Sequence, residues 1–458
     1  SASVAWRISD EPWMGWSRRA LDNAKIRLSA GSMGNGNVSP YSYTSEMTVS
    51  TADDIVLGGS YPSYTSVGST VPVSLTWEKS TTYDVGLDLD FFNNRLSVSG
   101  DYYRRYTTDM YTASVALPAV YGTGSPKGNN AEMKTDGWEL SLSWRDSFKL
   151  GGKPFDYSIK AMVWDSKSVI TKYVNDTGSL GTVKGFIENG GSPSSYYVGM
   201  TVGEIWGYTV AGLFRDQADI DSSAIHDFVQ ASDKVTRPGQ VKIADLDGNG
   251  FIDPGNFAVD DHGDLRIIGN QSPRYRYGVN LSARWNGIGL SVFLQGVGAR
   301  DWYPGSDAGM FWGKYGRPFF ALIPSIHNYT DDMYSAERNN WDTAYWPRMT
   351  TYQSNGTKNW TRLLEIPNTR YIQSAAYLRV KNIQLDYSFP KHICSAIRLQ
   401  GLKIYVNAEN LFTFTPLHKY APNFDPEGLS YDSDFASAAD GYTYPILKSV
   451  TVGVNITF

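Results

Sequence analysis

Hydrophobic and polar residues alternate with a period of two through much of the chain. Tyr83, Val85, Leu87, Leu89 and Phe91 are separated by Asp84, Gly86, Asp88 and Asp90. Trp138, Leu140, Leu142 and Trp144 repeat the pattern, as do Tyr275 to Trp285 and the closing run Val450, Val452, Val454, Ile456, Phe458. Such stretches predict strands with one apolar and one polar face. They run to about 10–15 residues, beyond the five or six usual in globular sheets and enough to cross a bilayer when tilted. Helical periodicity is confined to short stretches around Ser17–Asn23 and Asp331–Arg338. The predicted class is all-β.

Eleven strands are predicted, near 1–9, 22–33, 80–91, 94–109, 131–146, 154–168, 274–286, 288–300, 375–389, 400–412 and 446–458. Their connections are alternately short and long. The long ones fall at about 35–79, 110–130, 169–273, 301–373 and 413–444. Transmembrane barrels have short turns at one end and long extracellular loops at the other. Strict alternation places the strand-like stretch Gly203–Phe214 inside a loop, because counting it in the wall would reverse the parity. Aromatic residues gather at strand ends, among them Trp6, Tyr102, Tyr106, Trp144, Phe389 and Phe412, where interfacial girdles lie. The alternative is that they fill a sandwich core.

Composition narrows the classes. With 41 basic and 46 acidic residues the net charge is 41 − 46 = −5, which argues against a nucleic-acid partner. A single cysteine, Cys394, excludes an internal disulfide framework and a cysteine-rich zinc site. No run of about 18 apolar residues exists, and mean hydropathy is −0.34, so no transmembrane helix is expected. The low average conceals strands whose polar half cancels their apolar half. The sequence opens on an alternating stretch from Ser1, read as a point inside a longer polypeptide.

Several phrases are more specific than the pattern. Trp77-Glu78-Lys79-Ser80-Thr81-Thr82-Tyr83-Asp84-Val85-Gly86-Leu87 and Asn94-Arg95-Leu96-Ser97-Val98-Ser99-Gly100-Asp101-Tyr102-Tyr103 open the series. Tyr275-Arg276-Tyr277-Gly278-Val279-Asn280-Leu281, Ser291-Val292-Phe293-Leu294-Gln295-Gly296, Ala376–Tyr387 and Val452–Phe458 follow in order. Together they resemble the C-terminal part of the barrel of SusC/RagA-like TonB-dependent outer-membrane transporters. The resemblance implies a transmembrane antiparallel barrel of about 22 strands, of which this chain supplies about eleven. It also implies an N-terminal plug and TonB box outside this chain, coupling to the TonB complex, and a SusD-like surface lipoprotein as lid. The expected function is import of a nutrient, an oligosaccharide or a peptide, across the outer membrane of a Gram-negative bacterium, with the C-terminus in the periplasm. The competing reading is a secreted or surface all-β glycan-binding protein without transport.

Asp245-Leu246-Asp247-Gly248-Asn249-Gly250-Phe251-Ile252-Asp253 fits the first nine positions of an EF-hand-type loop. Asp245, Asp247, Asn249 and Asp253 offer side-chain oxygens and Phe251 its carbonyl, a set suited to Ca²⁺ or Mg²⁺. Position twelve is Asn256 rather than a bidentate Glu. The bland reading is an Asp/Gly turn without an ion. In the 301–373 loop, Trp302, Tyr303, Trp312, Trp341 and Trp346, near Asp331, Asp332, Glu337 and Asp342, are candidate substrate-binding residues. Against this, long loops need packing of their own, and such rings serve it equally well. Val454, Ile456 and the terminal Phe458 resemble the signal read by the outer-membrane assembly machinery; any amphipathic last strand would look similar. No catalytic constellation is present: the five histidines are scattered and neither a nucleophile elbow nor H-E-x-x-H occurs. No enzyme and no organic cofactor are expected.

Overall fold

The structure, a computed structural model, describes all residues except 37–43, 45–46, 69–74, 115–119, 121–126, 183–184, 187–189, 226–235, 305–310, 312–331, 349–365 and 430–445. One sheet dominates. Its eleven strands are β1 (Ala2–Arg7), β2 (Leu21–Asn35), β3 (Glu78–Phe91), β4 (Leu96–Ala113), β5 (Lys127–Leu150) and β6 (Lys153–Lys172), then β7 (Arg274–Trp285), β8 (Ile288–Ala299), β9 (Tyr377–Ser388), β10 (Gly401–Phe414) and β11 (Ser449–Thr457). Neighbours in sequence are neighbours in the sheet throughout, and every pairing is antiparallel. A sandwich would need two facing sheets, so the expected barrel wall, not the sandwich, is what forms. Among the described residues no helix is long and apolar enough to cross a membrane, which says nothing of crossing by strands.

The two faces separate as the alternation requires. Tyr83, Val85 and Leu87 of β3 stand exposed, with Leu28 on the adjacent β2 and Leu142 two strands away on β5. The opposite face of the same strands carries a charged ladder in which Arg27 donates to Asp88 at 2.9 Å and pairs with Asp101 at 2.9 Å. An apolar face left bare and a polar face internally paired suit lipid outside and water inside.

The hairpin β5–β6 is longer than the pattern predicted, because pairing continues from Glu132–Lys172 down to Leu150–Lys153. Alternation weakens along Lys127–Asn130, so the sequence there reads as loop although the backbone is strand. At one end the connections are tight: Gly151-Gly152 and Asn286-Gly287 turn with positive φ, the conformation two-residue hairpins demand. Residues 12–19 form a 3₁₀ segment that overlaps the helical stretch expected around Ser17–Asn23 at 17–19 and ends four residues short of it, because β2 already begins at Leu21. Of the stretch expected to be helical at Asp331–Arg338, Asp332 alone among the described residues is helical; Met333 bridges to Trp346 and 336–338 form a turn.

The buried apolar core lies in the long connections, joined from the wall by Ile170 near the end of β6. Leu180, Ile205, Tyr208, Leu213 and Leu265 from the connection after β6 join Trp302, Tyr303, Phe311 and Trp346 from the one after β8, and Leu417 and Phe424 from the one after β10. Small sheets organise this cap. Glu204–Tyr208 pairs with Leu265–Asn270, Val210–Leu213 with Val241–Ile243, and Asp301–Trp302 with Gln373–Ser374. The stretch 203–214 is thus a loop element, as parity required.

Candidate functional site

The acidic loop folds on its own side chains. Asp245 Oδ1 and Oδ2 accept the N–H groups of Gly248 and Gly250 at 2.6 and 2.9 Å, and Asp247 Oδ1 accepts that of Asn249 at 3.0 Å. Gly248 and Gly250 have φ of +76° and +86°, values only glycine adopts readily, and they bring the chain back on itself. The carboxylates of Asp245 and Asp247 meet that of Asp264, with one oxygen from each lying within 4.8 Å of the others. Asp264 is fully buried and accepts the N–H groups of Leu246 at 2.6 Å and Asp253 at 3.1 Å.

Burial pushes the Asp264 carboxyl above its usual range; the two amides oppose this, while Asp247 and Asp245 add to it. Three carboxylates this close repel one another, and a divalent cation would offset that repulsion. Oxygen ligands from Asp245, Asp247 and Asp264 are the donor set a hard cation takes. Asp253 is instead occupied with the N–H of Gly255 at 2.7 Å and with Asn249 Nδ2 at 3.3 Å. The residue that sequence reasoning missed is Asp264. It sits eleven residues beyond the nine-residue motif and is delivered by the start of the Leu265–Asn270 strand, so linear spacing could not reveal it.

The candidate aromatic residues have divided fates. Trp302, Tyr303 and Trp346 are fully buried, so in this conformation they offer no face to a ligand, contrary to the substrate-binding expectation for them. Their rings hold the cap together. Trp302 meets Phe311 edge-on at 6.1 Å, and Trp346 lies parallel to Tyr371 at 5.6 Å, as aromatic clusters favour. Tyr303 donates to the Ile366 carbonyl at 2.8 Å. Trp341 is partly buried against the same core, and Trp312 lies outside the described residues.

A second group went unnoticed in the sequence. Arg379, on the polar face of β9, is buried and binds Asp425 at 2.7 Å and Glu427 at 3.0 Å. Lys381 meets Glu427 at 2.7 Å. Burial alone would raise the Asp425 carboxyl, but the Arg379 guanidinium and the N–H groups of Glu427 and Ile446 hold it below the ordinary value. The network fastens segment 416–429 to the mouth of the wall. Its signal was present in Asp425-Pro426-Glu427-Gly428, but only the fold brings it opposite Arg379.

At the tight-turn end of the polar face a cleft of about 620 Å³ is lined by Arg95, Arg145, Arg284, Asp146, Asp156 and Asp386. Among the described residues β11 pairs only with β10, and Phe458, one residue past its end, is 82% exposed, with Val454 and Ile456 on the same bare side. Deleting Phe458 should lower the yield of the heat-modifiable folded form in membranes; an unchanged yield would remove its role as an assembly signal.

Long antiparallel strands in simple up-and-down order, a bare apolar face, a charged inner face and a cap of packed loops define the wall of an outer-membrane-type β-barrel. A family model described as TonB dependent receptor-like, beta-barrel matches residues 1–255 of the 458, and the chain belongs to that family. TonB-dependent receptor P3 of Formosa agariphila is 26% identical over 466 residues, covering 100% of this chain and 41% of that protein. TonB-dependent receptor SusC of Bacteroides thetaiotaomicron is 24% identical over 466 residues, covering 100% and 40%. The RagAB peptide importer in its closed-closed state superposes with a TM-score of 0.67 at 19% identity, covering 100% of this chain and 43% of that one. At that identity the likeness speaks for the fold alone. The chain spans about two-fifths of the length of the curated relatives it matches.

Proposed function

We propose that this chain forms part of the wall and the extracellular cap of a transporter that imports a nutrient, an oligosaccharide or a peptide, across the outer membrane. The observation that carries this reading is the eleven-strand wall with lipid-type and water-type faces, topped by loops that share one apolar core. β1 and β11 each have one partner in the sheet. Unpaired backbone in lipid costs several kcal/mol per group, so further strands of the same transporter close the barrel. The charged cleft at the tight-turn end suits contact with a plug inside the lumen. A SusD-like lipoprotein lid is the partner that SusC-type relatives suggest, and coupling to the TonB complex would run through parts of the transporter beyond these strands. The tight turns and the C-terminus face the periplasm in this reading.

Deleting the gene should abolish growth on one of the two nutrient classes supplied as large oligomers and leave growth on its monomers intact. Unchanged growth and uptake on both oligomer classes would refute import. A C-terminal epitope reached by antibody in intact cells would reverse the orientation.

The 245–264 loop is the place for a structural Ca²⁺ or Mg²⁺, held by Asp245, Asp247 and Asp264. Calorimetric titration of Ca²⁺ into the chelator-treated transporter should show saturable binding, weakened at least tenfold by Asp264→Asn and hardly altered by Asn256→Ala. Equal heats for wild type and Asp264→Asn would eliminate the site.

A further inference from the structure

The segment between β1 and β2 is built inside out. Its 3₁₀ stretch, Pro12–Arg19, repeats every three residues, so side chains three apart share one side. Trp13, Trp16 and Arg19 therefore form a single stripe, and all three are exposed, the tryptophans to 58% and 78%. The side turned inward carries Ser17, buried and donating to the Met14 carbonyl at 2.8 Å. In water the opposite arrangement is favoured, with large rings inside and hydroxyls outside.

The exposed stripe is continuous with the apolar face of the wall. Trp13 meets Trp6 of β1 edge-on at 6.3 Å, and Trp6, 49% exposed, follows Val4 on the bare side of the strand. The indole N–H of Trp6 is already held by Glu11 at 2.9 Å, which leaves its ring free to face lipid. Tryptophan is the side chain enriched at the boundary between hydrocarbon and headgroups, and arginine reaches from there to phosphate. At the tight-turn end this connection and 389–400 are long, whereas the turns at 151–152 and 286–287 have two residues.

We propose that Pro12–Arg19 lies flat in the phospholipid interface as a membrane anchor, with Trp13 and Trp16 at the hydrocarbon boundary and Arg19 on the phosphates of anionic headgroups. The contact follows from continuity with the lipid face; only the choice of leaflet rests on the orientation proposed above. The C-terminal epitope tests that choice separately.

The complete transporter, with an environment-sensitive nitrobenzoxadiazole dye attached through Trp16→Cys in a Cys394→Ser background, is reconstituted into vesicles of phosphatidylglycerol and phosphatidylcholine. Heat-modifiable migration selects folded protein. The dye should be quenched by a shallow doxyl group on the acyl chains and at least threefold less by aqueous iodide than a dye in water. Arg19→Glu should raise iodide quenching in phosphatidylglycerol-rich vesicles and leave it unchanged in pure phosphatidylcholine. Quenching by iodide but not by doxyl would put the turn in water and overturn the proposal. Quenching by neither would place the turn against another part of the protein and would overturn the proposal equally. No effect of Arg19→Glu in either lipid would refute the headgroup contact.

Discussion

Replacing Arg379 with methionine is expected to loosen segment 416–429 from the barrel mouth by about 3–5 kcal/mol, the usual cost of removing one partner from a buried ion pair. Asp425 would be left buried with no countercharge, whereas Glu427 keeps Lys381 at 2.7 Å. The opening should appear as amide exchange in 416–429 that is faster by about two to three and a half decades, since 1.4 kcal/mol is tenfold. Adding Asp425→Asn to the methionine variant should restore much of the protection, because it removes the orphaned charge. A pH dependence follows from the same pair. The Asp425 carboxyl is depressed in the folded state, so its contribution is complete above the unfolded value of about 3.9 and is lost as pH falls through the lower folded value. Asp425→Asn should abolish that acid-induced loosening. Equal exchange in wild type and Arg379→Met would show that the network does not hold the segment.

Trp346→Ala should be equally severe but wider in reach. Truncating a fully buried tryptophan typically costs about 3–5 kcal/mol, and Trp346 touches Tyr345, Tyr371 and Phe311 at the centre of the cap. Three connections share this core, so protection should fall together in 197–214, 366–375 and 416–429 while β3 to β6 stay unchanged. Limited proteolysis of the folded barrel would read the same effect as new cuts confined to the loops. Loss restricted to the neighbours of residue 346 would mean that the connections pack independently.

The wall was legible because a strand with one face in lipid and one in water must alternate, and β3, β7 and β11 do so without interruption. The length of β5 was not. Beyond the bilayer the outer face of a strand meets water, as with Arg104 and Asp136 paired across β4 and β5, so alternation no longer separates two environments and the pattern fades. Parity placed 203–214 correctly in a loop. The role of the aromatic residues was harder to read, because a ring that binds ligand and a ring that packs a loop have the same letter. Only the burial of Trp302 and Trp346 distinguishes them. Asp264 and the Arg379 network escaped for a common reason: each joins residues far apart in sequence, 18 positions between Leu246 and Asp264 and 46 between Arg379 and Asp425. The tryptophan stripe of Pro12–Arg19 has a period of three, which a search for strands or α-helices passes over.

The central claim is that one face of this sheet meets lipid and the other meets water. A nitroxide scan along residues 84–90 of β3, in the complete transporter reconstituted in vesicles, tests it most directly. Labels at 85, 87 and 89 should collide more with oxygen than with a water-soluble nickel complex, and labels at 84, 86, 88 and 90 should show the reverse or be shielded from both. A period of two in the ratio, with oxygen favoured at the odd positions, is the predicted result. Odd positions as open to nickel as an aqueous loop, or shielded from both reagents as in a packed sandwich, would contradict it.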